Sequence, residues 1–160
     1  MSYLKLIKLL YIVDREALIR WGRPVTTDRY ASMDQGPVVS HIYNLITGEM
    51  PPGIRTYWQE CISPRPNHEV ELVNDPGDDE LSKAEEDLID EVFAEHGQKS
   101  RWVLVNYTHD LPEWQDPNGS SIPISHRDIL RAAHKTDAEI EAVESELESL
   151  AAVEALVAPD

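Results

Sequence analysis

Hydrophobic residues at the start of the chain recur with helical spacing. Leu4, Ile7, Leu10, Tyr11, Ala17, Leu18 and Trp21 fall on one arc when advanced by about 100° per residue, which predicts a core helix from Ser2 to Trp21. Lys5, Lys8, Arg15 and Glu16 fall on the opposite, solvated side, and Gly22 followed by Arg23-Pro24 supplies the stop. Asp14 breaks the pattern: it projects onto the apolar arc between Ile7 and Trp21, where a carboxylate needs a partner, with Arg23 and Arg29 as candidates. Asp34-Gln35-Gly36-Pro37 has turn chemistry and places proline as the first residue of a second helix. Val38, Ile42, Leu45 and Ile46 stripe that helix until Gly48 and Pro51-Pro52 end it. Tyr57 to Ile62 and Glu69 to Val73 then flank Ser63-Pro64-Arg65-Pro66-Asn67-His68, the one hairpin signal in the pattern.

The second half reads as helices with explicit starts. Ser82 and Glu85 form a capping box ahead of Leu88, Ile89, Val92 and Phe93, with a stop at Gly97. Ser100 caps a short helix through Tyr107, a polar loop follows Trp114, and Ser125 caps Asp128-Ile129-Leu130. Asp137 opens a last helix whose Ile140, Val143, Leu147, Leu150 and Val157 follow a 3-4 spacing, with Glu154 in the seam. No internal repeat is visible. The expected fold is α+β and mainly α-helical, a compact helical domain with a small antiparallel β-hairpin or sheet. It would comprise residues 1–136 with an acidic C-terminal helix over 137–160 packed on the same domain.

Composition narrows the class. At 160 residues, 41% hydrophobic and 28% charged, the chain has the length and apolar content of one globular domain. Lysines interrupt the N-terminal residues before a signal-type stretch develops, and no run is long and apolar enough to span a membrane, so a cytoplasmic protein is expected. The single cysteine, Cys61, can form no intrachain disulfide and reads as packing in a strand. The formal charge of −16 repels phosphate backbones, which disfavours nucleic acid and favours a basic partner. Charge is also polarised: Met1 to Arg29 holds six Lys or Arg against three acids, whereas Asp137 to Asp160 holds eight acids and no Lys or Arg.

Catalytic chemistry finds little support. The six histidines include no pair three or four residues apart, so no metal is expected, and no Walker loop, Gly-x-Gly-x-x-Gly or Gly-x-Ser-x-Gly elbow is present. Catalytic residues and cofactors are therefore expected to be absent. Asp14 and the stretch Tyr107-Thr108-His109 with Glu113-Trp114 are the polar residues placed in or near the core, in structural roles. Most of Trp21, Trp58, Trp102 and Trp114 are expected in the core, with Trp58 weighed toward partner contact. The C-terminal seam suits pairing in a homodimer or with a partner helix, or packing on its own domain.

The run from Lys5 to Asp14, then Gly22-Arg23-Pro24-Val25-Thr26, Asp28-Arg29-Tyr30, and Met33 with Gly36-Pro37-Val38 resembles the signature of the Panacea domain, or SocA-like antitoxin domain. Tyr43 to Ile46, Leu81 to Glu85, and Thr108-His109 with Pro112-Glu113-Trp114 resemble later family positions, extending the likeness through about Leu130. The resemblance implies a mostly helical domain with a small β element, paired in bacteria and phages with unrelated toxins and having no known catalytic site. Asp14, Gly36, Pro37, Val38, Thr108, His109 and Trp114 would be structural motif residues. Asp34-Gln35 and the helix after Asp137 depart from the shared pattern.

The expected function is an antitoxin that neutralises a cognate protein toxin, encoded beside it, by direct binding. Occlusion and delivery to a protease fit equally. The face around Tyr30, Gln35 and Trp58, where turns and aromatics meet, is the candidate binding surface. A DNA-binding autorepressor and a hydrolase using Asp14, His109 or Glu113 are the alternatives.

Overall fold

The computed structural model describes residues 1–49 and 56–158. Helix α1 (Tyr3–Trp21) ends at Gly22 in a left-handed turn (φ 73°), and a loop leads to a hairpin of β1 (Tyr30–Met33) and β2 (Gly36–Val39) that continues into α2 (Ser40–Thr47). Next come α3 (Tyr57–Cys61), a second hairpin β3 (Ile62–Arg65) and β4 (Glu69–Leu72), α4 (Lys83–His96) and α5 (Arg101–His109). β5 (Ile122–Ile124), α6 (His126–Ala132) and α7 (Asp137–Val157) complete the described chain, which is the mainly helical α+β fold expected. β5 pairs antiparallel with β1, giving a three-stranded sheet in the order β2-β1-β5, and β3-β4 stands apart. The second hairpin is tied to the start of α1 by Tyr3 N–H donating to His68 O at 2.9 Å and Val70 N–H to Met1 O at 2.8 Å.

α1 is central. α4 and α5 cover one side, where Leu9, Ile12, Val13 and Ala17 meet Leu88, Val92 and Leu104. The sheet and α6 cover the other, where Ile7, Tyr11 and Leu18 meet Val38, Val39, Ile124 and Ile129. This corrects the expected solvated face of α1. Lys8 is fully buried, because the helix is packed from both sides rather than laid on a surface. Trp21, expected in the core, is 43% exposed at the helix end. None of the four tryptophans is fully buried: Trp102 is 53% exposed, and Trp58 and Trp114 are half-buried.

Three further expectations are corrected. Pro37 starts no helix; it lies in β2, an edge strand, which tolerates proline because its missing N–H faces no partner. α2 begins later, at Ser40, and its cap comes from a distant residue: the Asp28 carboxylate accepts from His41 N–H at 2.9 Å and Ile42 N–H at 3.0 Å. Pro51-Pro52, read as its terminator, lie outside the described residues. Tyr57 to Cys61 is helical rather than extended, because Gln59 Oε1 reaches back to accept from Thr56 N–H at 3.1 Å while Gln59 N–H donates to Thr56 O at 3.0 Å; Cys61 is its buried last residue. The Ser82/Glu85, Ser100 and Ser125 starts form as their spacing predicts, with each serine oxygen accepting a backbone N–H three residues on.

Candidate functional site

The polar groups that escape solvent collect along α1. Asp14 accepts from the backbone N–H of Val25 (2.9 Å) and Thr26 (2.8 Å), from the Thr26 hydroxyl, and from the Tyr30 hydroxyl (3.0 Å). Burial pushes its carboxyl above the ordinary carboxylate range, and the four donors pull the other way. The expected partners were Arg23 and Arg29; both are exposed, and amides and hydroxyls of the folded-back loop do the work instead. Asp14 thus fixes the path from α1 into β1.

One turn further along, Glu113 accepts from the Tyr11 hydroxyl at 2.9 Å and from Arg15 Nε at 2.6 Å and Nη2 at 3.3 Å. Burial and the adjacent Glu113 carboxylate push the Tyr11 phenol well above its usual range. This clamp docks the segment after α5 on α1. Its neighbour Trp114 donates Nε1–H to Met33 O at 3.1 Å and stacks on His109, with centroids 4.1 Å apart and planes at 26°. Gln115 N–H donates to Ser32 Oγ at 3.2 Å, so β1 is held from the same segment.

Lys8 closes the set. Its ammonium donates to Pro37 O at 2.7 Å, and burial lowers its pKa to about 7. Gly36 has φ of 95°, and a Cβ there would lie 2.8 Å from Thr108 Oγ1 and 3.0 Å from Lys8 Nζ, so only glycine lets the hairpin approach both helices. Thr108 donates its hydroxyl back to the carbonyls of Leu104 (2.9 Å) and Val105 (3.1 Å). Among the described residues, His109 Nε2 finds no hydrogen-bond partner in its buried position. Beside Lys8 lies a cavity of about 250 Å³ lined by Tyr3, Met33, Gln35, Gly36 and Tyr43 among others.

The structure therefore brings Asp14, Gly36, Pro37, Val38, Thr108, His109 and Trp114 to one seam between α1, the first hairpin and the 108–115 segment. It adds Lys8 and Arg15, which the projection of α1 puts on a solvated side, Ser32 from β1, and the hydroxyl of Tyr11. The proposed binding face does not assemble as expected. Tyr30 is 4% exposed with its hydroxyl bound to Asp14, so it offers no surface; Gln35 is exposed at the tip of the hairpin, at the other end of β1, and Trp58 is half-buried on α3. Tyr57, beside Trp58 on α3, is exposed, and the other exposed aromatics lie elsewhere, with Trp21 at the end of α1, Phe93 on α4, and Trp102 and Tyr107 on α5. The spacing of Leu104, Val105 and Thr108 already marks the buried face of α5 and leaves Trp102 off it. Among the described residues, no three His, Cys, Asp or Glu side chains converge as a metal would require, and no helix is long and apolar enough to cross a membrane.

These features define a mainly helical α+β domain organised on one central helix whose buried polar groups are engaged with one another. The chain belongs to the SocA-like antitoxin family, Panacea domain, whose family model matches residues 6–115. That span contains the whole seam and stops before β5, short of the Leu130 limit expected from the sequence. No curated protein and no solved structure matches the chain.

Proposed function

We propose that this protein is an antitoxin that neutralises a cognate protein toxin, encoded next to it, by direct binding in the cytoplasm. The observation that carries the reading is the match to the SocA-like antitoxin family over residues 6–115. Three features support it. First, the carboxylates that a hydrolase would use are occupied: Asp14 faces four donors and Glu113 holds Arg15 and Tyr11, an arrangement that pins elements together rather than waiting for a substrate. Binding requires no chemistry of the domain, and we read it as a non-enzyme.

Second, four of the six basic residues of the N-terminal segment are engaged within the fold, with Arg23 and Arg29 exposed. Lys5 donates to Gly97 O, Lys8 to Pro37 O, Arg15 to Glu113 and Arg20 to Glu91, which leaves little positive surface for DNA and weighs against an autorepressor. Third, the net charge of −16 suits rapid encounter with a basic protein. An interface that occludes the toxin would bury on the order of 1,600 Å² in total.

The test is co-expression with the adjacent open reading frame, scoring growth and co-purification. Growth rescue with a stable complex is the expected result. Rescue with falling toxin levels and no complex would replace occlusion by delivery to a protease. A neighbour that is harmless alone and forms no complex would overturn the reading.

A further inference from the structure

The last helix changes character halfway along. Thr136 and Glu139 cap its start, Ile140 is fully buried, and Val143 and Leu147 pack into the core shared by α1 and α6. Val143 touches the turn at Gly22, where a Cβ would come within 3.0 Å of Cγ2, and Arg127 Nε bonds Glu144 at 3.0 Å. Residues 137–149 carry six acids and no Lys or Arg. From Leu150 the chain reads Leu-Ala-Ala-Val-Glu-Ala-Leu-Val-Ala, with one charge in nine residues. Such a segment is apolar almost all round, a composition that belongs inside a core.

Instead it stands in solvent. Leu150 is half-buried, and beyond it Val153 is 57%, Leu156 87% and Val157 72% exposed. At about 100° per residue, Leu150, Val153, Leu156 and Val157 share an arc of about 120°, and Glu146 lies on the same arc before the row. The centre of this arc lies about 110° around the helix from the Ile140, Val143 and Leu147 stripe, with Leu150 at the shared edge, so beyond Leu150 the helix leaves its apolar arc uncovered.

Charge and area choose between occupants. Two copies pairing tail to tail through nine residues would overlap by about 13 Å of helix, well short of the roughly 800 Å² per partner of a stable interface. Lengthening the overlap would bring the six acids of one α7 against the other copy's acidic helix, which opposes self-pairing. A partner carrying an apolar stripe bordered by Lys or Arg meets neither obstacle: its stripe covers Val153, Leu156 and Val157, and its cations extend the contact along Glu146 and Glu154. Resting on the antitoxin reading, we propose that the distal half of α7 is the docking helix for a basic, amphipathic helical segment of the toxin.

The test uses the full chain and its Val153→Gln/Leu156→Gln variant, which removes apolar surface without changing charge. Two probes are titrated against both by calorimetry: the purified product of the adjacent gene, and a synthetic 18-residue amphipathic helix of leucines and lysines, with a glutamate-for-lysine peptide as control. The expected result is binding of both probes to the wild-type chain, about thirtyfold or more weaker to the variant, and none of the glutamate peptide. Equal binding of the gene product to wild type and variant overturns the docking site and leaves the antitoxin reading standing. Failure of the gene product to bind either chain, with the lysine peptide still discriminating them, overturns the antitoxin reading and keeps the site's preference for a basic helix. Loss of that discrimination, or a wild-type dimer in sedimentation equilibrium that the variant dissolves, overturns the proposal; the dimer would name a second copy as occupant.

Discussion

Around α1, charged groups sit where water cannot reach them, and nearly every one has a partner; along the last two turns of α7, apolar groups sit in water and have none. The two regions break the same rule in opposite senses. Asp14, Glu113 and Lys8 are stabilised by neighbours drawn from three separate parts of the chain, so their removal should be felt as lost stability. Val153 and Leu156 touch little within the domain, so their removal should be felt only by something outside it. Buried polarity in this protein belongs to the scaffold, and the exposed apolarity of α7 is the surface proposed above for recognition.

The contrast can be broken most forcefully at Asp14. Asp14→Ala strands the Tyr30 hydroxyl and the Val25 and Thr26 amides, and should cost about 4 kcal/mol of unfolding free energy in urea titration. A loss under 1 kcal/mol would remove Asp14 from the scaffold. Lys8 sharpens the same side through pH. The unfolded chain holds this proton up to the ordinary 10.5, whereas the folded chain releases it near 7, so between those values unfolding takes up a proton and stability rises with pH.

That rise reaches at most about 1.4 kcal/mol per pH unit and flattens below pH 7, where both states are protonated. Lys8→Met should abolish it, as denaturant titrations at pH 7, 8.5 and 10 would reveal; an unchanged slope would place the amine in water. Gly36→Ala should cost about 2 kcal/mol, because the new Cβ meets Thr108 and Lys8 at a positive φ; the thermal midpoint measures it. The smallest effect is expected on α7, where Val153→Gln/Leu156→Gln should leave stability within about 0.5 kcal/mol of wild type. A large destabilisation there would return the distal helix to the core and end the comparison.

Much of the scaffold is legible in the sequence. Asp14 declared itself as a carboxylate on an apolar arc, and Thr108, His109, Glu113 and Trp114 stood out as polar residues near the core. Lys8 did not, because projecting one helix assumes a wholly solvated back, and packing on both sides leaves α1 a partly exposed strip at Glu16 and Arg20. Gly36-Pro37 suits both a turn into a helix and a hairpin, and only pairing with β1 and, through it, β5 decides for the strand. The turn-rich neighbourhood of Tyr30 suggests a binding face, yet its hydroxyl goes inward to a residue sixteen positions earlier.

What this sequence determines unaided is mostly local. Helix starts at Ser82, Ser100, Ser125 and Thr136 depend on hydrogen bonds that span three residues, so the residues that make each start are adjacent in the text. What the tertiary structure alone decides is which side of each element meets water and which distant group answers a buried charge. Glu113 reaches Tyr11 across 102 positions, and the Asp28 cap on α2 comes from before the first strand. Such contacts form only once the chain has closed on itself, and their energies depend on burial that no stretch of sequence carries alone.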